Sequence, residues 1–416
     1  MSGPLLRPEA NPGGHIRSLD ALRGALALYV ALHHIGFLYS DWWRAAGNLP
    51  WLFTKFSAFG HEAVIAFFLL SGFAMMRSHG GDPLDAASLN RYAFRRVRRL
   101  YGVYLGALLL TTLFSLHRGG AFLAIQQLPA NLLMLQAGGG PWWQQAYLGN
   151  TPLWSLSFEA AYYLAFPALL LLGRRLGPRT LVGTVAAFGI AGWIGVWFGG
   201  FHDASIAALL PTWWIGAWLA SPGCAALRWR VPSWLAGYGV GLVPLLSRSV
   251  PDAALKDLLV AAAFLPLFAR LLQGSAPPSS RHPSAPVLTA LLLIHAIGAL
   301  LLFLGDCPST SGAFERTYLA APLVLATFAP ALERAVRSPL VRPALLGLCG
   351  ISYGLYACHF PVLALGRDLA AAWHPPTLVA LAIAWAALAA AIGLAWLLEH
   401  PLHRRWADWL GRRWPR

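Results

Sequence analysis

Apolar runs long enough to cross a lipid bilayer, set apart by short basic clusters, limit most strongly what this chain can become. The stretches from Leu181 to Phe198 and from Pro376 to Leu398 hold no charged residue. Each is close to the roughly 20 residues a helix needs to span the hydrocarbon core. Inside lipid the backbone polar groups must be satisfied within the protein, so these runs are predicted to be helices. Composition agrees: 57% of the chain is hydrophobic and 11% charged, where a soluble domain carries about a quarter charged residues.

Up to twelve segments are expected, near 21–40, 60–77, 100–116, 153–172, 180–199, 205–221, 232–248, 254–272, 286–304, 317–334, 344–364 and 377–398. The predicted fold is all-α, a polytopic transmembrane bundle of about 10–12 helices with both termini cytoplasmic. Three regions follow: a tail over 1–17, a transmembrane domain over 18–400 and a basic tail over 401–416. The first 17 residues hold no apolar core and do not read as a cleavable signal, so the first helix is expected to act as the anchor. Orientation comes from the basic residues. Arg91 to Arg99, Arg174, Arg175, Arg179, Arg228, Arg230, Arg334, Arg337, Arg342 and the last residues fall inside. Only Arg44, Lys55, Arg118, Arg248, Lys256, Arg316 and Arg367, seven of 31 basic residues, fall outside. The net charge of +15 is thus a topology signal; a nucleic-acid surface would need one contiguous basic face. The longest outer loop is expected from about 117 to 152, with Gly138-Gly139-Gly140-Pro141-Trp142-Trp143 within it, and Gln273 to Pro286 reads as a Ser/Pro-rich linker. Cys224, Cys307, Cys349 and Cys358 form no Cys-x-x-Cys pair, and neither a disulfide framework nor a metal site is expected.

Several side chains could carry chemistry. Ten residues lie between Arg23 and His34 on the first helix, a rise of roughly 16 Å. His34, next to His33, therefore belongs near the bilayer midplane, where an ionisable group is a functional candidate by default; a histidine satisfied by a neighbouring helix is the alternative. Histidine can take a proton from an attacking hydroxyl near neutral pH. Glu159 on the fourth helix is the candidate to orient it, or an ion-pair partner that locks helices together. Arg96 and Arg99, three apart ahead of helix three, share a face and suit phosphates, or anionic lipid. Ser71 and Gly72 permit close helix approach; no nucleophile elbow surrounds Ser71. His61 and Glu62 sit at the outer start of the second helix. His359 fits acceptor contact or packing equally.

Five blocks in order resemble the membrane-bound acyltransferase family 3: LDALRG with its run to His34, AVIAFFLLSGF, RRVRRLYG, WSLSFEAAYYL and ISYGLYACHFPV. They span Leu19 to Pro361, with Ala21 and Ala63 in place of usual glycines, Gly102 in place of a proline, Ala160 for a second acid, and Ala357-Cys358 for a Leu-Trp pair. The resemblance implies a ten-helix core, with two extra helices between 232 and 334. It also implies an O-acyltransferase of the cell (inner or plasma) membrane. It would use acyl-CoA, commonly acetyl-CoA, as co-substrate, with no resident cofactor, and a carbohydrate or lipid-linked glycan as acceptor. His34 would be catalytic, Arg96 and Arg99 would meet the CoA, and Arg23, Asp20 and Glu159 would support the site, with His33, Ser71, Tyr353 and His359 beside them. Direct transfer and an acyl-His intermediate both fit. The rival from another class is a secondary transporter that uses the intramembrane His and Glu as a proton relay.

Overall fold

The computed structural model describes residues 16–116, 121–136, 144–199, 203–221, 231–273, 285–304 and 316–414. Gly138 to Trp143, Arg228, Arg230, Cys224, Cys307 and residues 274–284 of the expected linker lie outside them. Among the described residues all regular structure is helical. In chain order the helices are α1 (Arg17–Leu38), α2 (Ser40–Ala45), α3 (Asn48–Phe56), α4 (Gly60–His79), α5 (Ala86–Ser115), α6 (Ala121–Leu132), α7 (Trp154–Leu176), α8 (Pro178–Gly199) and α9 (Ala204–Leu219). There follow α10 (Ser233–Ser249), α11 (Ala253–Leu272), α12 (Ala285–Leu304), α13 (Ala321–Val336), α14 (Val341–Gly350), α15 (Ser352–Trp373) and α16 (Thr377–Leu397). A π-turn at Leu398–Leu402 leads into α17 (His403–Arg413).

Each expected segment coincides with a helix, but length and apolarity single out fewer of them as crossings. Among the described residues six stretches qualify: Arg17–Leu38, Pro50–His79, Ala86–Ser115, Thr151–Leu176, Pro178–Phe198 and Thr377–Arg413. The pair α14 and α15 meets the same test only when taken together, with a 79° bend at Ile351. The expected single segment over 344–364 is therefore two helices rather than one.

Three stretches read as loops or tails are folded. The basic cluster Arg91 to Arg99, expected ahead of helix three, is the first half of α5 itself. Asp85 caps that helix by accepting from the Ser88 N–H at 2.7 Å, and this bond holds the Asp85 carboxyl below its ordinary pKa. The expected outer loop over 117–152 contains α6 and four buried amides, Gln127, Asn131, Gln136 and Asn150. The C-terminal tail forms α17, whose Trp406 ring covers α5 at Gly102. Trp414 Nε1 donates to Asn90 Oδ1 at 2.8 Å.

The chain divides into two compact units. One comprises the start of α1, α4, most of α9, and α10 to α13 with the first part of α14. Here Gly72 and Gly216 let α4 and α9 touch backbone to backbone: a Cβ at Gly72 would strike the Trp213 carbonyl, and one at Gly216 the Leu69 carbonyl. Ser71, expected to serve packing, accepts from Trp213 Nε1 at 3.2 Å. Ser18 Oγ donates to Leu271 O at 2.8 Å, tying the start of α1 to α11. Buried charge in this unit is paired. His61 Nε2 lies 2.8 Å from Asp257 Oδ1, and Ser247 Oγ donates to Glu62. Arg270 grips Glu333 with two bonds, at 2.9 and 3.2 Å, while Ser233 and Arg337 add to the same carboxylate.

The second unit comprises α1 from Arg23, α2, α3, α5 to α8, the start of α9, and the chain from Gly347 to the end. Its helices α15 and α16 pack on each other, and α15 packs on α5.

Removing Glu333 strands a guanidinium that is 9% exposed. Glu333→Ala should therefore lower stability by about 3 kcal/mol. The double change Arg270→Met with Glu333→Leu should recover most of it, as read by thermal unfolding of the purified protein in detergent.

Candidate functional site

The candidate residues fall largely within the second unit. Arg23, His33, His34, Arg96, Arg99, Glu159, Tyr353 and His359 all belong to it, whereas Asp20 and Ser71 belong to the first. Arg23 sits half-buried on α1, three turns before His34.

Two histidines far apart in sequence meet. His359 Nε2 on α15 lies 3.0 Å from His34 Nδ1 on α1, with ring centroids 4.9 Å apart. The bonds around them fix where the protons sit. His359 Nδ1 lies 2.8 Å from the Leu355 carbonyl, which can only accept, so Nδ1 carries the proton and donates. In the neutral ring Nε2 is then an acceptor. His34 Nδ1 faces two acceptors, His359 Nε2 and the Val30 carbonyl at 2.9 Å, so it too carries its proton. That leaves His34 Nε2 with an open lone pair, and no group among the described residues bonds it. His34 is half-buried and His359 fully buried. The Phe360 and His33 rings each meet the His34 ring in a T-shaped contact, with centroids 5.1 and 4.9 Å away. His33 Nδ1 bonds the Ser57 carbonyl at 2.7 Å.

Glu159, on α7, accepts from the Tyr163 hydroxyl one turn along the same helix. The Tyr163 ring lies under the Arg96 guanidinium at 5.4 Å, with Tyr92 at 6.0 Å. Arg99 is engaged as well: its Nη1 donates to Glu399 Oε2 at 2.8 Å, and the guanidinium lies 5.5 Å over Tyr353. The Arg99 side chain is nonetheless 42% exposed, while that of Glu399 is only 3% exposed. The two arginines on this face of α5 are cationic groups braced by aromatics, and the Arg99 side chain stays partly exposed.

Sequence reasoning missed Glu399, which stands one residue past the expected end of the last segment. Its second oxygen accepts from the Gly354 N–H at 3.0 Å. A Cβ at Gly354 would press on the Ala395 carbonyl at 2.9 Å and the Glu399 Cγ at 3.1 Å, so only glycine admits this approach. The Tyr353 hydroxyl donates to the Leu100 carbonyl at 3.2 Å. Thus α5, α15 and the π-turn after α16 converge on one carboxylate. Pro401, one turn into that turn, was the available signal, because a π-turn relieves the hydrogen bond a proline removes.

Asn150 was missed too. Pro361 lacks an N–H, which leaves the Ala357 carbonyl on α15 without its helical partner. Asn150 Nδ2 supplies the missing donor at 2.9 Å. The serines of the Trp154–Ser157 block act structurally: Ser155 Oγ lies 2.7 Å from the Tyr356 hydroxyl, and Ser157 donates to the Gln136 and Trp154 carbonyls. Cys349 and Cys358 are in the thiol form, not joined in a disulfide. No group of three metal-ligating side chains occurs among the described residues.

Comparison with known proteins agrees with the blocks read in the sequence. A family model described as an acyltransferase domain matches residues 16–400. The acyltransferase MdmB of Streptomyces mycarofaciens is 32% identical over 173 residues, 39% of this chain. The aligned part spans 41% of that relative's length. No solved structure matches.

Gly354→Val should displace Glu399 and loosen α15 from α16. A loss of about 1–3 kcal/mol is expected, read as earlier thermal unfolding, with Gly354→Ala milder.

Proposed function

Because this chain belongs to the acyltransferase 3 family, we propose that it moves an acyl group, acetyl by expectation, from cytoplasmic acyl-CoA to a hydroxyl of a sugar, surface glycan or other exported acceptor, with His34 as general base. The family and the apolar helices make it a multi-pass membrane acyltransferase. The observation that carries the finer reading is the open lone pair on His34 Nε2, held in place by the bond from Nδ1 to His359.

In this mechanism acyl-CoA enters from the cytoplasmic side. Its phosphates meet Arg96 and the exposed part of Arg99, both already cationic and fixed by ring contacts, with Arg23 as a further cation on α1. An acceptor hydroxyl approaches His34 from the outer side. As its oxygen attacks the thioester carbonyl, the proton passes to His34 Nε2. The new ester C–O bond forms, the C–S bond breaks, and the coenzyme A thiolate leaves, taking the proton from the imidazolium. Atoms and charge balance without a further reactant. His359 is a positioning residue: its Nε2 holds the His34 proton on Nδ1 and supports the ring while Nε2 is charged. Glu159 acts at one remove, through Tyr163 against Arg96, on the phosphate end of the donor.

The test is mass spectrometry of surface glycans and exported small molecules from cells lacking the gene, rescued with wild type or with His34→Ala at equal membrane abundance. An acyl-sized mass that returns only with wild type supports the reading; its return with both removes His34 as the base. In purified protein His34→Ala should lower kcat by roughly 10²-fold or more. His359→Ala should lower kcat with little change in the KM for acyl-CoA. His359→Gln, which keeps an acceptor in the Nε2 place, should retain more activity than His359→Ala.

A further inference from the structure

The last helix carries a strongly basic face at the end of a membrane span. α16 has 21 residues and no charged side chain, and its rise of roughly 31 Å matches the roughly 30 Å hydrocarbon core. The π-turn at Leu398–Leu402 follows, so α17 starts where the lipid headgroups start. Its 11 residues hold four arginines, Arg404, Arg405, Arg412 and Arg413, against one acid, Asp408. All five of these residues are exposed.

The helix is held through other residues. Leu410 is buried. Trp406 lies against Gly102 of α5, where a Cβ would come within 2.5 Å of its Cδ1. Trp414 bonds Asn90 and meets the Phe94 ring in a T-shaped contact. α17 therefore runs antiparallel to the first half of α5, within the same unit. Other arginines of this unit have carboxylate partners: Arg95 pairs with Asp82 at 3.1 Å and Arg99 with Glu399 at 2.8 Å. Arg404, Arg405, Arg412 and Arg413 form no ion pair among the described residues. Arg405, Trp409 and Arg413 are spaced four apart and share one row of the helix. The Arg413 guanidinium lies 5.0 Å over the ring of Trp409, which is exposed.

We propose that the exposed face of α17 is a docking surface for anionic phospholipid headgroups of the leaflet where α16 ends. The partner follows from the chemistry. Four guanidiniums without a carboxylate partner, directly after a membrane span, match a surface of phosphates. An exposed indole among them suits the headgroup layer, where tryptophan concentrates. Zwitterionic lipid offers the same phosphate with an ammonium beside it, so the preference is for net negative charge. These arginines are a separate set from Arg96 and Arg99, which lie on α5 beside tyrosine rings and Glu399. The proposal does not depend on the acyl-transfer reading of His34.

The experiment uses the full-length protein in phosphatidylcholine vesicles. These are doped with a lipid that carries a photoreactive diazirine on its headgroup, either phosphatidylglycerol or phosphatidylcholine. Adducts formed on irradiation are mapped by mass spectrometry. Adducts on residues 403–414 should be roughly 10-fold more frequent with the phosphatidylglycerol probe. Unlabelled phosphatidylglycerol should suppress them, and saturating acetyl-CoA should leave them unchanged. Arg405→Gln with Arg413→Gln should remove most of the preference. Arg175→Gln with Arg179→Gln removes equal exposed charge at the turn between α7 and α8 and should leave the preference in place. The comparison of the two lipids on wild type needs no variant to fold. Equal adducts with both lipids, or none on α17, overturn the proposal. So does a preference that survives Arg405→Gln with Arg413→Gln, or one that falls equally in both double variants, which would trace it to the general charge of the protein. If acetyl-CoA suppresses the adducts, the arginines serve the acyl donor and the lipid surface falls.

Discussion

A carboxylate buried among apolar helices needs partners to remain charged, and Glu399 has them on two sides. Arg99 of α5 supplies the countercharge and the Gly354 N–H of α15 supplies a second bond, while the carboxylate itself hangs from the π-turn after α16. The site-bearing helices α5 and α15 are fixed to the end of α16 at this point. Arg99 has a double duty under the proposed mechanism: it locks the bundle and offers its remaining donors to the acyl donor. That fits an Arg99 side chain that is paired yet partly exposed, and an arginine, with five donors in a fixed fork, at this place.

The helices themselves were legible because apolar runs in lipid have few alternatives. All twelve expected segments coincide with helices. What the runs did not show is where polar sequence folds as well. Arg91 to Arg99 read as a loop because charge is a poor sign of a membrane segment, yet these residues continue α5 beyond its apolar part. The stretch 117–152 read as a loop because its amides and prolines carry no periodic signal. Gln127, Asn131 and Gln136 form bonds that become visible only once the chain has folded, such as Gln127 Oε1 accepting from the Leu148 N–H at 2.8 Å.

The site was legible in part. His34 stood out by its depth in the first helix, and Arg96 and Arg99 by their spacing. Their partners did not, since hydrogen bonds between residues 300 or more apart leave no local trace. A carboxylate was the expected partner for His34, and the structure places a second histidine beside its Nδ1; Glu159 accepts from Tyr163 of its own helix. The difference has physical content. A neutral histidine can accept the proton of its neighbour without bringing a second charge into an apolar site, whereas a carboxylate there would itself need compensation.

The 79° break at Ile351 gives α15 a free N-terminus inside the bundle. The first amides of a helix have no partner within it, and the Glu399 carboxylate takes the Gly354 amide, acting as a cap delivered from a distant part of the chain. His359 lies seven residues along α15, roughly 10 Å from the helix start. A tilt of about 5° at that start would carry its ring by roughly 1 Å, enough to part it from His34. The alignment of His359 with His34 therefore depends on how Arg99 and Glu399 hold the start of α15, some two turns away.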